Sequence, residues 1–125
     1  MRILLDTHVL LWALANPTQL GKDALAAIED PANDLLFSTA SIWEIAIKAS
    51  LGRLETTRLV AEAVAESGFE ELPIRLGHAE AVQALPWHHR DPFDRMLVAQ
   101  ALAERLTLVT RDRIFGRYGV KVLRA

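Results

Sequence analysis

An apolar run, "RILL" at 2–5, opens the chain and stops at Asp6, and similar runs recur as "LLFST" at 35–39 and "LTLVT" at 106–110. Short apolar runs bounded by polar residues are the pattern of strands buried on both faces. "FEELPI" at 69–74 and "VKVL" at 120–123 are weaker strand candidates. Between them, apolar positions at helical spacing in segments rich in Ala, Leu and Glu predict helices at 7–15, 21–30, 41–51, 57–67, 76–85 and 92–105. Pro17, Pro31, Pro73, Pro86 and Pro92, with Gly52, Gly68 and Gly116, fall where turns or helix starts are expected. No repeat, low-complexity tract or linker interrupts the alternation. Strands alternating with helices predict an α/β fold, a parallel sheet covered by helices on both faces.

That topology says where chemistry would gather. In an open parallel sheet, side chains just past the carboxyl ends of the strands line one edge, where ligands bind. Asp6 follows the first strand, and Asp112 lies just beyond the strand ending at Thr110. Glu44, in "STASIWEIAIK", falls in the first turn of the helix after the second strand. Asp91 and Asp94 open the helix that runs back toward "LTLVT". Five acidic residues far apart in sequence are therefore expected at one edge.

Each also has a purely structural explanation. Asp6 and Asp112 are suitable N-caps for the helices that follow them. "SIWE" fits a capping box with Ser41 as N-cap and Glu44 at the third position, and Glu44 can pair with Lys48 one turn on. In "DPFD", Asp91 caps, Pro92 takes the favoured first position and Asp94 the third. Two features favour chemistry for the group as a whole. Glu44 and Asp94 sit in strongly apolar surroundings, "IWEIAI" and "FDRMLVA", where an uncompensated carboxylate is costly. Clustered carboxylates also repel one another and raise each other's pKa unless a cation is present. Oxygen-rich sites of this kind suit Mg²⁺ or Mn²⁺, and such ions serve phosphodiester hydrolysis. The expected division of labour gives Asp91 to the cap and Asp94 to the metal.

Composition narrows the picture further. At 125 residues, 51% of them apolar, residues 1–125 read as one domain able to bury a core without staples. The absence of cysteine removes disulfides and thiolate zinc sites, which suits a reducing, cytoplasmic setting. The apolar amino terminus is interrupted by Asp6 and His8 and is too short to span a bilayer, so it is expected to be folded structure. The formal net charge is −2, but residues 1–85 carry 6 basic and 12 acidic side chains while 86–125 carry 8 and 4. A local basic surface can therefore coexist with an acidic total. Arg90, Arg95, Arg111 and Arg113 are candidates to hold a nucleic-acid backbone, with ion pairing to the adjacent aspartates as the structural alternative.

With these residues in place, the chain resembles the PIN-domain ribonucleases, and specifically the VapC toxins of toxin–antitoxin pairs. The resemblance rests on four blocks in order: "ILLDTHVLLW", "SIWEIAIK", "HRDPFDRMLVAQA" and "LVTRDRIF". It implies a PIN-like three-layer fold and a metal-dependent endoribonuclease whose action inhibits translation or growth. Carried over position by position, the acidic cluster binding Mg²⁺ or Mn²⁺ is Asp6, Glu44, Asp94 and Asp112, and Thr110 occupies a place where a hydroxyl supports the site. The resemblance also implies an RNA substrate, a cognate VapB-like antitoxin, and a homodimer or a heteromer with the antitoxin. Trp12 and Leu11 are candidates for such an interface, against the simpler reading of core packing. Trp87, His88 and His89 are candidates to stack on unpaired bases, against Trp87 packing on the core. His8 is either a ligand or proton shuttle or a local hydrogen-bonding partner at a helix start.

Two other classes fit part of the pattern. A phosphatase with Asp6 as nucleophile shares the strand-end aspartate and the metal, but His8 stands where such an enzyme carries a second aspartate. A non-catalytic interaction module would keep the fold without the metal. A receiver-like signalling domain fits the length, but its acidic residues are distributed differently.

Overall fold

A computed structural model describes residues 1–54 and 57–125, with residues 57–59 as backbone only. The strands are β1 (Arg2–Leu5), β2 (Asp34–Ser38), β3 (Glu70–Leu72), β4 (Thr107–Thr110) and β5 (Val122–Arg124). The α-helices are α1 (Thr7–Ala15), α2 (Lys22–Glu29), α3 (Thr39–Ser50), α4 (Thr57–Ser67), α5 (Leu76–Ala81) and α6 (Pro92–Glu104). The strands form one sheet in the order β3-β2-β1-β4-β5, and every pairing is parallel. The expected α/β architecture is therefore present. The chain leaves β1 toward β2 on one side and later returns to β4 on the other, so strand order reverses at β1. That reversal opens a crevice at the carboxyl edge.

Alternation along the strands builds two cores. Leu4, Leu36 and Leu108 face one side with Leu97, Val98 and Phe115. Ile3, Leu5, Phe37 and Val109 face the other with Val9, Leu10 and Ala24. Side chains one residue apart in a strand point to opposite faces, so a sheet covered on both faces needs apolar residues at both phases. The continuous rather than alternating runs in β1 and β4 satisfy that need.

Several boundaries differ from the sequence expectation. The helix expected at 41–51 begins at Thr39, because Ser38, the last residue of β2, already caps it through Ser38 Oγ and the Ala40 amide, 3.0 Å apart. Ser41 is thus buried within the helix and is not its N-cap, and Glu44 lies in the second turn rather than the first. The helix expected over 76–85 stops at Ala81 and continues as a 3₁₀ turn, Val82–Ala84. Pro86 excludes the preceding residue from helical geometry, and Leu85 is extended. Arg105 closes α6 in the left-handed region at φ 54°, which delays β4 to Thr107. The weak candidates at 69–74 and 120–123 became the three-residue strands β3 and β5.

One buried polar tie crosses the layers below the crevice. Ser38 Oγ donates to the Gln100 side-chain oxygen, and the Gln100 amide nitrogen donates to the Pro73 carbonyl at 3.3 Å. Gln100 is fully buried, and this pairing removes its desolvation cost while fixing α6 against the ends of β2 and β3. Among the described residues no helix is long and apolar enough to cross a membrane.

Candidate active site

The carboxyl edge holds a groove of about 450 Å³ lined by Asp6, Glu44, Asp91, Asp94 and Asp112, with Lys48 and Arg111 as its cationic side chains. The five acidic residues expected at this edge all line it. Asp6 caps α1, its Oδ1 accepting from the Val9 amide at 2.8 Å, while its own amide donates to the Val109 carbonyl at 3.2 Å. The cap and the link from β1 to β4 together fix this side chain at the switch point. Glu44 accepts from the Thr7 hydroxyl at 2.8 Å and from Lys48 Nζ at 2.7 Å, so the expected pairing with Lys48 is present. Asp112 follows β4, accepting the Ile114 amide on Oδ1 at 2.9 Å and facing His89 Nε2 from Oδ2 at 2.7 Å. Thr110 hydrogen-bonds to the Asp6 carboxylate and accepts the Asp112 amide at 3.0 Å. One hydroxyl therefore orders two of the acidic positions.

At the start of α6, Asp91 caps through Oδ1, accepting from the amides of Phe93 at 2.8 Å and Asp94 at 3.2 Å. Asp94 lies in the first turn, half-buried. The electrostatics separate these residues. Burial pushes the Asp94 carboxyl up to about 7, and the charges of Asp91, Glu44 and Asp112 push the same way, opposed only by His89. No hydrogen bond among the described residues offsets that rise. Burial also raises Asp6 above the ordinary carboxylate value, despite bonds from Thr110 and the Val9 amide. For Asp112 the push from burial is outweighed by the hydrogen bond to His89, the Ile114 amide and the His89 charge, so its carboxyl lies below the ordinary value.

A hard divalent cation fits this donor set. The groups are carboxylate oxygens with no sulfur, and they repel one another around a carboxyl that lacks donors of its own. Among the described residues no three acidic or histidine side chains are grouped tightly enough to form a ready-made ligand shell, so the residues share a groove rather than a single point.

The basic and aromatic candidates divide differently from expectation. Arg95 is only 3% exposed, and its guanidinium donates to the carbonyls of Pro86 (2.9 Å), Val82 (3.1 Å), Leu85 (3.2 Å) and His89 (3.4 Å). It staples the loop before α6 and is not available to RNA. None of the four arginines pairs with a neighbouring aspartate among the described residues. Arg111, also exposed, stacks over the Trp12 ring at 4.2 Å and lines the groove; Arg90 and Arg113 are exposed outside it. Trp87 does not pack on the core as expected; it is 75% exposed, with the Arg95 guanidinium carbon over its ring at 3.8 Å from the centroid. His89 is buried against Phe115 and Tyr118, so it cannot stack on a base; His88 is exposed, edge-on to Tyr118. Trp12 is half-buried, contributing to both the core and the groove, and His8 is exposed beside it. Thr7 and Tyr118 were not singled out from sequence. Thr7 sits next to Asp6, a signal that was available; Tyr118 had none, because its partner is 29 residues away.

With fold and groove defined, the chain belongs to the PIN-domain family, whose model matches residues 3–121. Within that family it is similar to Ribonuclease VapC22 of Mycobacterium tuberculosis, with 34% identity over 119 residues covering 89% of this chain and 87% of the relative. The resemblance to VapC ribonucleases drawn from the four sequence blocks is borne out by this match. The structure of VapBC2 from Rickettsia felis bound to a DNA fragment from their promoter superposes with a TM-score of 0.76 at 15% identity, covering 100% of this chain and 99% of that one. DNA-bound VapBC from Salmonella typhimurium gives 0.73 at 19% identity, covering 99% and 98%. At these identities the structural likeness speaks for the fold.

Proposed function

We propose that this chain is a Mg²⁺- or Mn²⁺-dependent endoribonuclease, the toxin of a toxin–antitoxin pair, restrained by a VapB-like antitoxin. The observation that carries the reading is the groove itself. Asp6, Glu44, Asp94 and Asp112, brought from four separate segments, line it in a chain that matches a ribonuclease of the same family nearly end to end. These four residues would hold the cation, which supplies Lewis-acid stabilisation of charge at a phosphodiester.

The chain's own residues prepare the site. Lys48 and Thr7 hold Glu44, and Thr110 orients Asp6 while fixing the backbone at Asp112. Arg111 places a cation in the groove for the substrate phosphate, held against the Trp12 ring. Arg90 and Arg113, exposed beside Asp91 and Asp112, add the salt-dependent part of RNA affinity. Asp6 is a poor candidate for a phosphatase nucleophile, since it is 8% exposed and engaged by Val9 and Thr110.

The test is cleavage of total RNA by the purified chain free of antitoxin, in Mg²⁺, in Mn²⁺ and in chelator, beside Asp94→Asn. Cutting that needs the ion and falls at least about a hundredfold in the variant is the expected result, a loss of nearly 3 kcal/mol of transition-state stabilisation. A folded wild-type chain that binds neither ion would overturn the reading in favour of a non-catalytic interaction module.

A further inference from the structure

We infer that His89 is a positioning residue for Asp112, held in turn by Tyr118, an inference that rests on the metal-dependent reading above. His89 Nε2 lies 2.7 Å from Asp112 Oδ2, and an ionised carboxylate only accepts, so Nε2 carries the hydrogen. The other ring nitrogen, Nδ1, lies 3.1 Å from the Tyr118 hydroxyl, which itself accepts the His89 backbone amide at 2.6 Å. The hydroxyl can direct its own hydrogen at Nδ1 of the neutral ring or accept from Nδ1 of the protonated one, so the contact holds in either charge state. The imidazole is thus fixed at both nitrogens, and its plane is fixed by the Phe115 ring at 4.5 Å and the nearly parallel Tyr118 ring at 5.6 Å. The His89 carbonyl is tied into the Arg95 staple at 3.4 Å.

The consequence falls on Asp112. This residue stands between the end of β4 and a 3₁₀ turn, Arg113–Tyr118, and not on a long rigid element. The Ile114 amide fixes one carboxylate oxygen and His89 the other, so both oxygens are oriented before any ion arrives. Tyr118 lies at the far end of the same 3₁₀ turn, so the ring also ties that turn to the loop before α6. Outer partners of this kind set the direction of ligating carboxylates, and removing one typically costs about 10- to 100-fold in metal affinity or activity.

The experiment measures Mn²⁺ binding to the full chain by calorimetry and by the loss of free-ion EPR signal, together with kcat and KM on a cleaved RNA and a melting curve. His89→Ala is expected to weaken Mn²⁺ binding about tenfold and to lower kcat with KM little changed. His89→Gln, whose amide nitrogen can donate from nearly the position of Nε2, should restore most of both losses. Tyr118→Phe should give a smaller loss of the same kind, and it carries the test should the alanine variant fail to fold. Wild-type Mn²⁺ affinity in folded His89→Ala, or a glutamine variant as weak as the alanine one, would overturn the inference. Failure of the wild-type chain to bind Mn²⁺ would instead remove the metal-dependent reading beneath it.

Discussion

On the wall of the groove formed by β1, α1 and α3, each carboxylate meets its own donors, whereas on the wall formed by α6 and the turn after β4 the donors are shared unevenly. Asp6 has the Val9 amide and Thr110; Glu44 has Thr7 and Lys48. Across the groove Asp91 takes two helix amides and Asp112 takes Ile114 and His89, which leaves Asp94 with no donor of its own and only the His89 charge against three carboxylates. A satisfied carboxylate adds stability to the metal-free fold, and a half-buried one without donors subtracts from it. The second wall therefore depends on support from behind, and Arg95 supplies it. Local rules of this kind are broken where function requires it and compensated nearby.

The largest effect expected from breaking the comparison is the loss of that support. Arg95→Ala abandons four carbonyls between Val82 and His89, two of them in buried bonds, and should cost at least about 3 kcal/mol in urea unfolding. Glu44→Gln on the opposite wall keeps an acceptor for Thr7 and loses only a partly exposed ion pair with Lys48, so about 1 kcal/mol or less is expected. Comparable losses in the two variants would show that the walls are held equally and that the loop does not need its staple.

A sharper and smaller effect lies in pH. The Asp94 carboxyl rises in the fold from 3.8 to about 7, so its contribution to stability is fully present below pH 3.8 and is lost as pH rises through 7. Metal-free Asp94→Asn should therefore melt higher than wild type at pH 8, by about 1–2 kcal/mol once solvent screening is allowed for, with the gap closing toward pH 4. Asp112 has the opposite sign. Its folded value is lowered, so its stabilisation is present above 3.8 and lost as pH falls through the folded value. Asp112→Asn should melt below wild type at neutral pH and converge with it in acid. Melting curves of both variants from pH 2 to 8 that shift in the same direction would erase the asymmetry.

The groove's acidic residues were legible because three simple signals converged: where apolar runs stop, where Asp-Pro opens a helix, and which edge of a parallel sheet collects strand ends. The start of α3 was less so, since Ser38 and Ser41 are both good caps and only the end of β2 decides between them. The aspartates around Arg95 in sequence point to ion pairs that it does not make among the described residues. Its real partners are main-chain carbonyls 6 to 13 residues upstream, and carbonyls leave no mark on composition. His89 has the same difficulty: Asp112 and Tyr118 lie 23 and 29 residues away, and only the packing of the β4 turn against the α6 loop brings them together. What sequence resolves poorly here is the layer behind the site.

The smallest expected effect is the most informative about Asp91 and Asp94, two aspartates three residues apart at one helix end. Asn caps a helix about as well as Asp, so Asp91→Asn should keep the bonds to the Phe93 and Asp94 amides and shift stability by no more than a few tenths of a kcal/mol. It removes the largest charge contribution to the rise at Asp94, second only to burial. The Asp94 carboxyl of the metal-free variant should then titrate below its wild-type value of about 7, which carbon-13 NMR of the side-chain carboxyl would follow directly. Metal-dependent cleavage should survive, because the cap and Asp94 both remain. If Asp91→Asn abolishes cleavage while Asp94→Asn retains it, the two roles are reversed: Asp91 serves the chemistry, and the raised carboxyl at Asp94 is a cost of packing α6 against the sheet.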